Sequence, residues 1–371
     1  MRINRIILNA TAIGSKPDGI GIYCRNIIKV ITARKTSDKY FVYVNKDALE
    51  IMSYLINIDH VVLKVTSRFL SPKYGFIGHL LRFLFSNYLS LIYPRTIIFN
   101  PSQLEAAVKN KNQILMVHDL IPLLFYKDPT LRHPRQFFYF KYILGTAIRR
   151  SAAVLSPSNH TMELIKKEFN PEAKKMFVIP NGIDEPKKIF DLKEEDNFIL
   201  YVGRLSVTKN ITALIDAYRK IAHKVPHKLI IAGGGDNEFL IERDPGGAGS
   251  IEYLGYVSDS KIAFLFSKAT VFVFPSLYEG FGFPPLEAMS YGCPTIVSKV
   301  SSLPEVCGEA SLYIDPNNSE DIAKVMYKLL SDNRLQNQLI KSGYDRVKNF
   351  TWKRSAFGHL NVIDLIKSRR K

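Results

Sequence analysis

A chain of 371 residues, 46% of them hydrophobic, is globular in composition and long enough for two or three domains, each with a full core. Its three cysteines, Cys24, Cys293 and Cys307, are an odd number without C-x-x-C spacing, which excludes a disulfide framework and a zinc cage and leaves core filling. The formal net charge of +17 sits mostly in residues 1–184, where 26 Lys plus Arg face 12 Asp plus Glu; this calls for nucleic acid, an anionic membrane surface or a phosphorylated substrate, unless the excess is merely solvated.

The opening MRINRIILNATAIG reads as a first strand over 3–8 and not as a secretory signal. Gly19 and Gly21 follow where that strand hands over to a helix whose Ile22, Ile27, Ile28 and Ile31 share one face; such a turn also needs glycine for packing alone. Strands are predicted at 40–45 and 61–65, which makes this half βαβ. Residues 66–93 then mix aromatic with basic side chains, and Ile77, Leu80, Leu81, Leu84 and Phe85 have the spacing of an amphipathic helix. That stripe suits either an anionic membrane interface or an ordinary core face. The charge-free run there, 83–94, is short of the roughly 20 residues a bilayer span needs, so a cytoplasmic protein is expected. Strands at 96–99 and 114–117, the latter ending at His118-Asp119, precede a helix at 135–150. Strands at 153–155 and 176–179, with a helix from Ser158 between them, complete one doubly wound domain. No nucleic-acid-reading motif appears. The turn residues 180–184 and the charged stretch 187–197 read as a linker.

The second half restarts with a strand at 198–202, Gly203-Arg204, and a helix over 211–225. Arg204 and Lys209 in GRLSVTKN can converge on a diphosphate, the arginine as a bidentate fork and the lysine as a point charge, although each alone also reads as a surface cation. A strand at 229–232 leads into Gly233-Gly234-Gly235-Asp236, which lacks the lysine and hydroxyl residue of a P-loop. After a strand at 251–254 and a short helix at 259–268 comes VFVFPSLYEGFGFPPLEAMSYG. It reads as a buried strand over 271–274, a glycine loop, and a helix opened by Pro284 and Pro285 that stops at Gly292. Unpaired amides and the positive end of a helix dipole suit a phosphate there. Glu279 before the glycines and Glu287 in the first helical turn repel phosphate, so they are placed to accept from hydroxyls on either side of it, the layout of a nucleotide sugar. The alternative is a solvated loop acid and a helix-end preference. Strands at 295–298 and 312–314, a helix at 319–330 and a terminal amphipathic helix containing Trp352 and Phe357 follow.

The string EGFGFPPLEAMSYGCPTIVS resembles the E-x7-E signature of retaining glycosyltransferases of family 4, and GRLSVTKN is similar to that family's G-R-x4-K pattern. VHDLIPL looks like its histidine motif, and SSLPEV like the matching run of bacterial mannosyltransferases of surface-polysaccharide assembly. The resemblance covers the chain end to end, with specific C-terminal motifs and looser N-terminal ones. It implies the α/β GT-B fold: two doubly wound Rossmann-like domains facing each other across a cleft. It also implies an acceptor-side domain at 1–184, a nucleotide-sugar domain at 185–350, and a terminal helix at 351–371 packing back on the first.

By the same resemblance, Glu279 contacts the donor sugar, Glu287 the ribose, and Arg204 and Lys209 grip the diphosphate and stabilise it as it leaves. His118 faces the donor sugar, its alternative being a structural histidine capped by Asp119. Further donor contacts are implied at Gly280, Phe281, Gly282, Phe283, Ser276, Gly19, Gly21 and Val257. No metal and no cofactor beyond the donor are expected, since the Arg and Lys clamp does the work of a divalent ion. The expected reaction is retaining transfer of a sugar, with mannose from GDP-mannose favoured, to a saccharide or polyprenyl-diphosphate-linked acceptor at an anionic membrane surface. A sugar-nucleotide epimerase of the same fold is an alternative. A catalytically silent nucleotide-sugar-binding module is another, opposed by intact Arg204, Lys209, Glu279 and Glu287.

Overall fold

The computed structural model of the protein describes residues 5–128, 134–186, 197–235 and 250–369. Most of the expected linker, Asp236 and the last two residues lie outside the described residues. The chain divides into two compact units, residues 1–182 with 352–371 and residues 183–351.

The first unit is built on seven strands: β1 (Arg5–Asn9), β2 (Lys39–Asn45), β3 (Val61–Thr66), β4 (Ile97–Asn100), β5 (Gln113–Met116), β6 (Ala153–Ser156) and β7 (Met176–Val178). All pair in parallel, in the order β3-β2-β1-β4-β5-β6-β7. Ile6, Ile7 and Leu8 of β1 are fully buried, as a strand covered by helices on both faces requires. The terminal helix, Trp352–Ser368, belongs to this unit, where the Tyr23 hydroxyl donates to His359 Nε2 at 2.6 Å.

The second unit has six parallel strands: β8 (Phe198–Val202), β9 (Lys228–Ala232), β10 (Ile251–Gly255), β11 (Val271–Phe274), β12 (Thr295–Ser298) and β13 (Ser311–Ile314). Their order is β10-β9-β8-β11-β12-β13. Strand order reverses between β8 and β11, so the loops leaving their carboxyl ends part to opposite faces and open a crevice. Every residue of β11 is buried, and Phe272 and Phe274 are without exposed surface. That rigid pair of strands fixes where the two motif loops begin.

One helix departs from expectation, and a second decides between two alternatives. The helix Asn333–Val347 was not expected from the sequence, because its apolar stripe of Leu335, Leu339 and Val347 is thin and only Leu339 and Gly343 of its 15 residues are buried. The helix Gly75–Ile92 exists, but Ile77, Leu80 and Leu84 are exposed, which excludes a core face made of them. Arg82, one of its basic residues, is buried and pairs with Glu105 at 2.8 Å. No helix among the described residues is long and apolar enough to cross a membrane.

Candidate active site

The loop after β8 is held from beneath by glycines. Leu205 N–H donates to Gly234 O at 3.0 Å, and a Cβ on Gly233 would stand 1.9 Å from Gly203 O. The triple glycine therefore lets two backbones meet, which the missing P-loop residues left unexplained. Val207–Lys209 forms a single 3-10 turn, and Leu277 N–H donates to Thr208 O at 2.8 Å, tying this loop to the one after β11. Asn210, at φ 56°, donates to Pro275 O and Pro316 O and locks the same junction.

This bracing brings Lys209 onto Glu279: Nζ pairs with Oε1 and lies 5.4 Å from the centroid of the Phe274 ring. The cation thus sits half-buried between a carboxylate and an aromatic face, where charges interact more strongly than in bulk water. Arg204 is exposed on the same loop. Ser276, directly after β11, is fully buried, and its hydroxyl has no partner among the described residues.

The glycine loop is anchored by two serines that sequence reasoning did not single out individually. Glu279 N–H donates to Ser301 Oγ at 2.9 Å, and the Ser302 hydroxyl lies 2.9 Å from the carbonyls of both Glu279 and Phe281. Ser301 has φ 50°, a strained value for a serine. Gly282 has φ 101°, and a Cβ there would stand 2.7 Å from Leu303 Cδ2, so only glycine fits.

The helix runs Phe283–Ser290, with both prolines in its first turn. Two expectations change as a result. Glu287 falls in the second turn, because the helix starts at Phe283. Pro284 and Pro285 carry no N–H, so the first turn of the helix offers amides only at Phe283 and Leu286. The Phe281 side chain is buried in the core against Phe283 and Phe350, which leaves its backbone as the part able to meet a ligand. The Glu287 carboxyl is half-buried, has no hydrogen-bond or ion-pair partner among the described residues, and has its pKa pushed up to about 7 by burial, then by Asp184 and Asp259. Val257 is half-buried after β10, two strands from the β8 edge of the crevice.

Three expected residues lie in the first unit. His118 follows β5 and is buried; its Nε2–H donates to Pro101 O at 2.8 Å, and its ring meets Tyr23 edge-on at 4.7 Å. Its cap is thus Pro101 and not Asp119, which instead accepts from Ile121 N–H. Burial lowers its pKa to about 4, so the ring is neutral at pH 7 with Nδ1 as its remaining acceptor. Gly19 opens the helix Gly19–Ala33, and Gly21 N–H is already taken by the capping Asp18 at 2.9 Å. A Cβ on Gly21 would stand 2.9 Å from Pro17 Cβ, so packing accounts for that glycine. No group of three or more His, Cys, Asp or Glu gathers among the described residues.

Two Rossmann-like units of parallel sheet are the architecture of the GT-B fold. The chain belongs to glycosyltransferase family 4: that family's model matches residues 17–186, and the model of glycosyl transferases group 1 matches residues 182–346. It is 37% identical over 175 residues to O-antigen chain mannosyltransferase B of Escherichia coli, covering 46% of each chain. It is 30% identical over 245 residues to O-antigen chain mannosyltransferase RfbU of Salmonella typhimurium, covering 64% of this chain and 67% of the relative. The match therefore spans about half of one relative and two thirds of the other. Among solved structures, sucrose-phosphate synthase from Thermosynechococcus elongatus aligns with a TM-score of 0.72 at 18% identity, covering 99% of this chain and 100% of that one. WaaG, a glycosyltransferase involved in lipopolysaccharide biosynthesis, aligns with a TM-score of 0.71 at 15% identity, covering 97% and 99%.

Proposed function

We propose that this protein is a retaining glycosyltransferase that moves mannose from GDP-mannose to a saccharide carried on a lipid diphosphate, in the assembly of a surface polysaccharide at an anionic membrane. The observation that carries the transfer chemistry is the Lys209–Glu279 pair, set at the switch point of β8 and β11 by hydrogen bonds between the two loops. A departing diphosphate develops charge, and a preorganised cation in a partly desolvated crevice meets it without reorganising. Lys209 and Arg204 take that role, and amides of residues 280–283 assist. Glu279 accepts from the sugar hydroxyls and Glu287 from the ribose. No metal is required for this step.

Mannose is favoured by the two mannosyltransferase relatives, whose names place them in O-antigen synthesis. The deciding experiment is a thermal-shift screen across nucleoside diphosphate sugars, followed by acceptor-dependent release of nucleoside diphosphate from the best ligand. GDP-mannose should give the largest rise in melting temperature. Conversion of the donor to its epimer with no acceptor present would instead establish the epimerase alternative.

A further inference from the structure

We infer that the first unit docks on an anionic lipid bilayer through the outward face of the Gly75–Ile92 helix, and that the groove beside it receives a single lipid chain. This rests on the membrane-linked acceptor proposed above and names the surface that meets it.

The helix is inside out. Gly78, Arg82, Ser86 and Ser90, each four residues apart, form its buried stripe, with Leu89 as the one apolar side chain buried beside them. Two residues away, and so about 200° round the helix, Phe76, Leu80, Leu84, Tyr88 and Ile92 form an exposed apolar stripe. Leu84 is 53% exposed and Leu91 68%. Specific polar contacts fix the orientation. Arg82 donates to buried Glu105 at 2.8 Å and to Leu70 O at 2.9 Å, and Ser86 donates to Asn100 at 3.1 Å. Gly78 admits the backbone of Ser71, whose carbonyl would stand 2.6 Å from a Cβ. Rotating the helix to bury its leucines would strip buried Glu105 of its cation, which a buried ion pair resists strongly.

Between this helix and the helical stretch 134–150, which has a π turn at Tyr139–Leu144, lies a cavity of about 580 Å³ lined by Phe76, Leu80, Phe83, Phe138 and Ile143. Phe138 and Tyr142 continue the apolar surface beyond it, each 58% exposed. Charge selects the occupant. Residues 60–104 contain no Asp or Glu, and neither do residues 134–150, which carry Arg135, Lys141, Arg149 and Arg150, of which Lys141 pairs with Glu168 at 3.1 Å. The Arg135 guanidinium lies 5.2 Å from the centroid of the Phe76 ring, at the cavity wall. An apolar stripe bounded by cations and free of acids complements acyl chains beneath anionic headgroups.

The full-length protein is sedimented with vesicles of phosphatidylglycerol and phosphatidylethanolamine, or of phosphatidylcholine alone. Wild type should pellet with the anionic vesicles at low salt and leave them at high salt. Leu84→Glu with Leu91→Glu should weaken that partition by roughly a hundredfold, given two lost apolar contacts and two added anionic charges. Nucleotide binding measured by calorimetry without vesicles should stay at the wild-type value in this double variant, which keeps the vesicle result separate from donor chemistry. Leu80→Trp fluorescence should be quenched by lipids brominated along the acyl chain, with buried Trp352, the sole native tryptophan, as the unquenched control. Wild type that ignores anionic vesicles overturns docking, whatever its nucleotide affinity. A double variant that pellets like wild type overturns the assignment to this face. A wild-type dimer that the double variant splits, without vesicle binding, makes a second copy the occupant and overturns the lipid assignment.

Discussion

At the scale of single residues, the charges of the site compete for one another. Lys209 neutralises Glu279, and a diphosphate must draw on the same ammonium. Lys209→Ala and Arg204→Ala should each lower turnover by about two or more orders of magnitude, as loss of one transition-state donor does, with urea melts near wild type; near-normal turnover in folded protein removes them from the mechanism. Glu287 behaves differently, because its carboxyl lies half-buried and unpaired with a pKa near 7. Between its ordinary 4.5 and about 7 the native state keeps a proton that the unfolded chain has released, so stability due to this group falls as pH rises through that window. Nucleotide binding has the opposite sign, since ribose hydroxyls donate best to the carboxylate. Calorimetry from pH 6 to 8 should therefore show affinity rising through about 7 in wild type, and Glu287→Gln should remove that rise while the ligand's own titration stays common to both. Parallel pH profiles would take Glu287 out of the ribose site.

At the scale of elements, the motif loop depends on a buttress that comes from elsewhere in the chain. Ser302→Ala removes the hydroxyl shared by the Glu279 and Phe281 carbonyls, at a cost of about 1 to 3 kcal/mol for buried acceptors left unpaired. Turnover should fall with it, because Glu279 loses its placement; unchanged urea midpoint and unchanged turnover together would show the contact to be idle. Gly282→Ala should cost at least as much, through its φ of 101° and its contact with Leu303. The strands, the glycine loop and both acids were legible in the sequence, since period, composition and spacing are local. The buttress was not, because Ser301 and Ser302 act on residues more than twenty positions earlier. The inside-out helix was half legible for a related reason. Periodicity shows that an apolar face exists, but the buried Arg82–Glu105 pair decides which way it points.

At the scale of the whole molecule, acid should open the first unit through histidines that its fold holds neutral. His79, His118 and His359 are each lowered from 6.5 to about 4, in every case chiefly by burial, with Arg82 adding to it at His79 and His118 adding to it at His359. Their hydrogen bonds agree with the neutral form: His359 Nδ1–H donates to Ser355 O at 2.8 Å while Nε2 accepts from Tyr23. Between 6.5 and 4 the unfolded chain binds protons that these rings refuse, so the stability they confer is complete above 6.5 and is lost as pH falls toward 4. Each proton is worth about 1.4 kcal/mol per pH unit inside the window. Buried Glu105, raised from 4.5, opposes this at the acid end by favouring the folded state as it protonates. Trp352 lies in the first unit and is the only tryptophan, so its fluorescence follows this unit alone. Guanidinium melts read by that signal should lose stability from pH 6.5 to 5 with a slope that grows from about one and a half to nearly three protons, and His359→Gln should remove about a third of it. A flat profile across that range would mean that the rings are protonated in the native state or open to solvent, and the neutral buried network joining His118, Tyr23 and His359 would have to be abandoned.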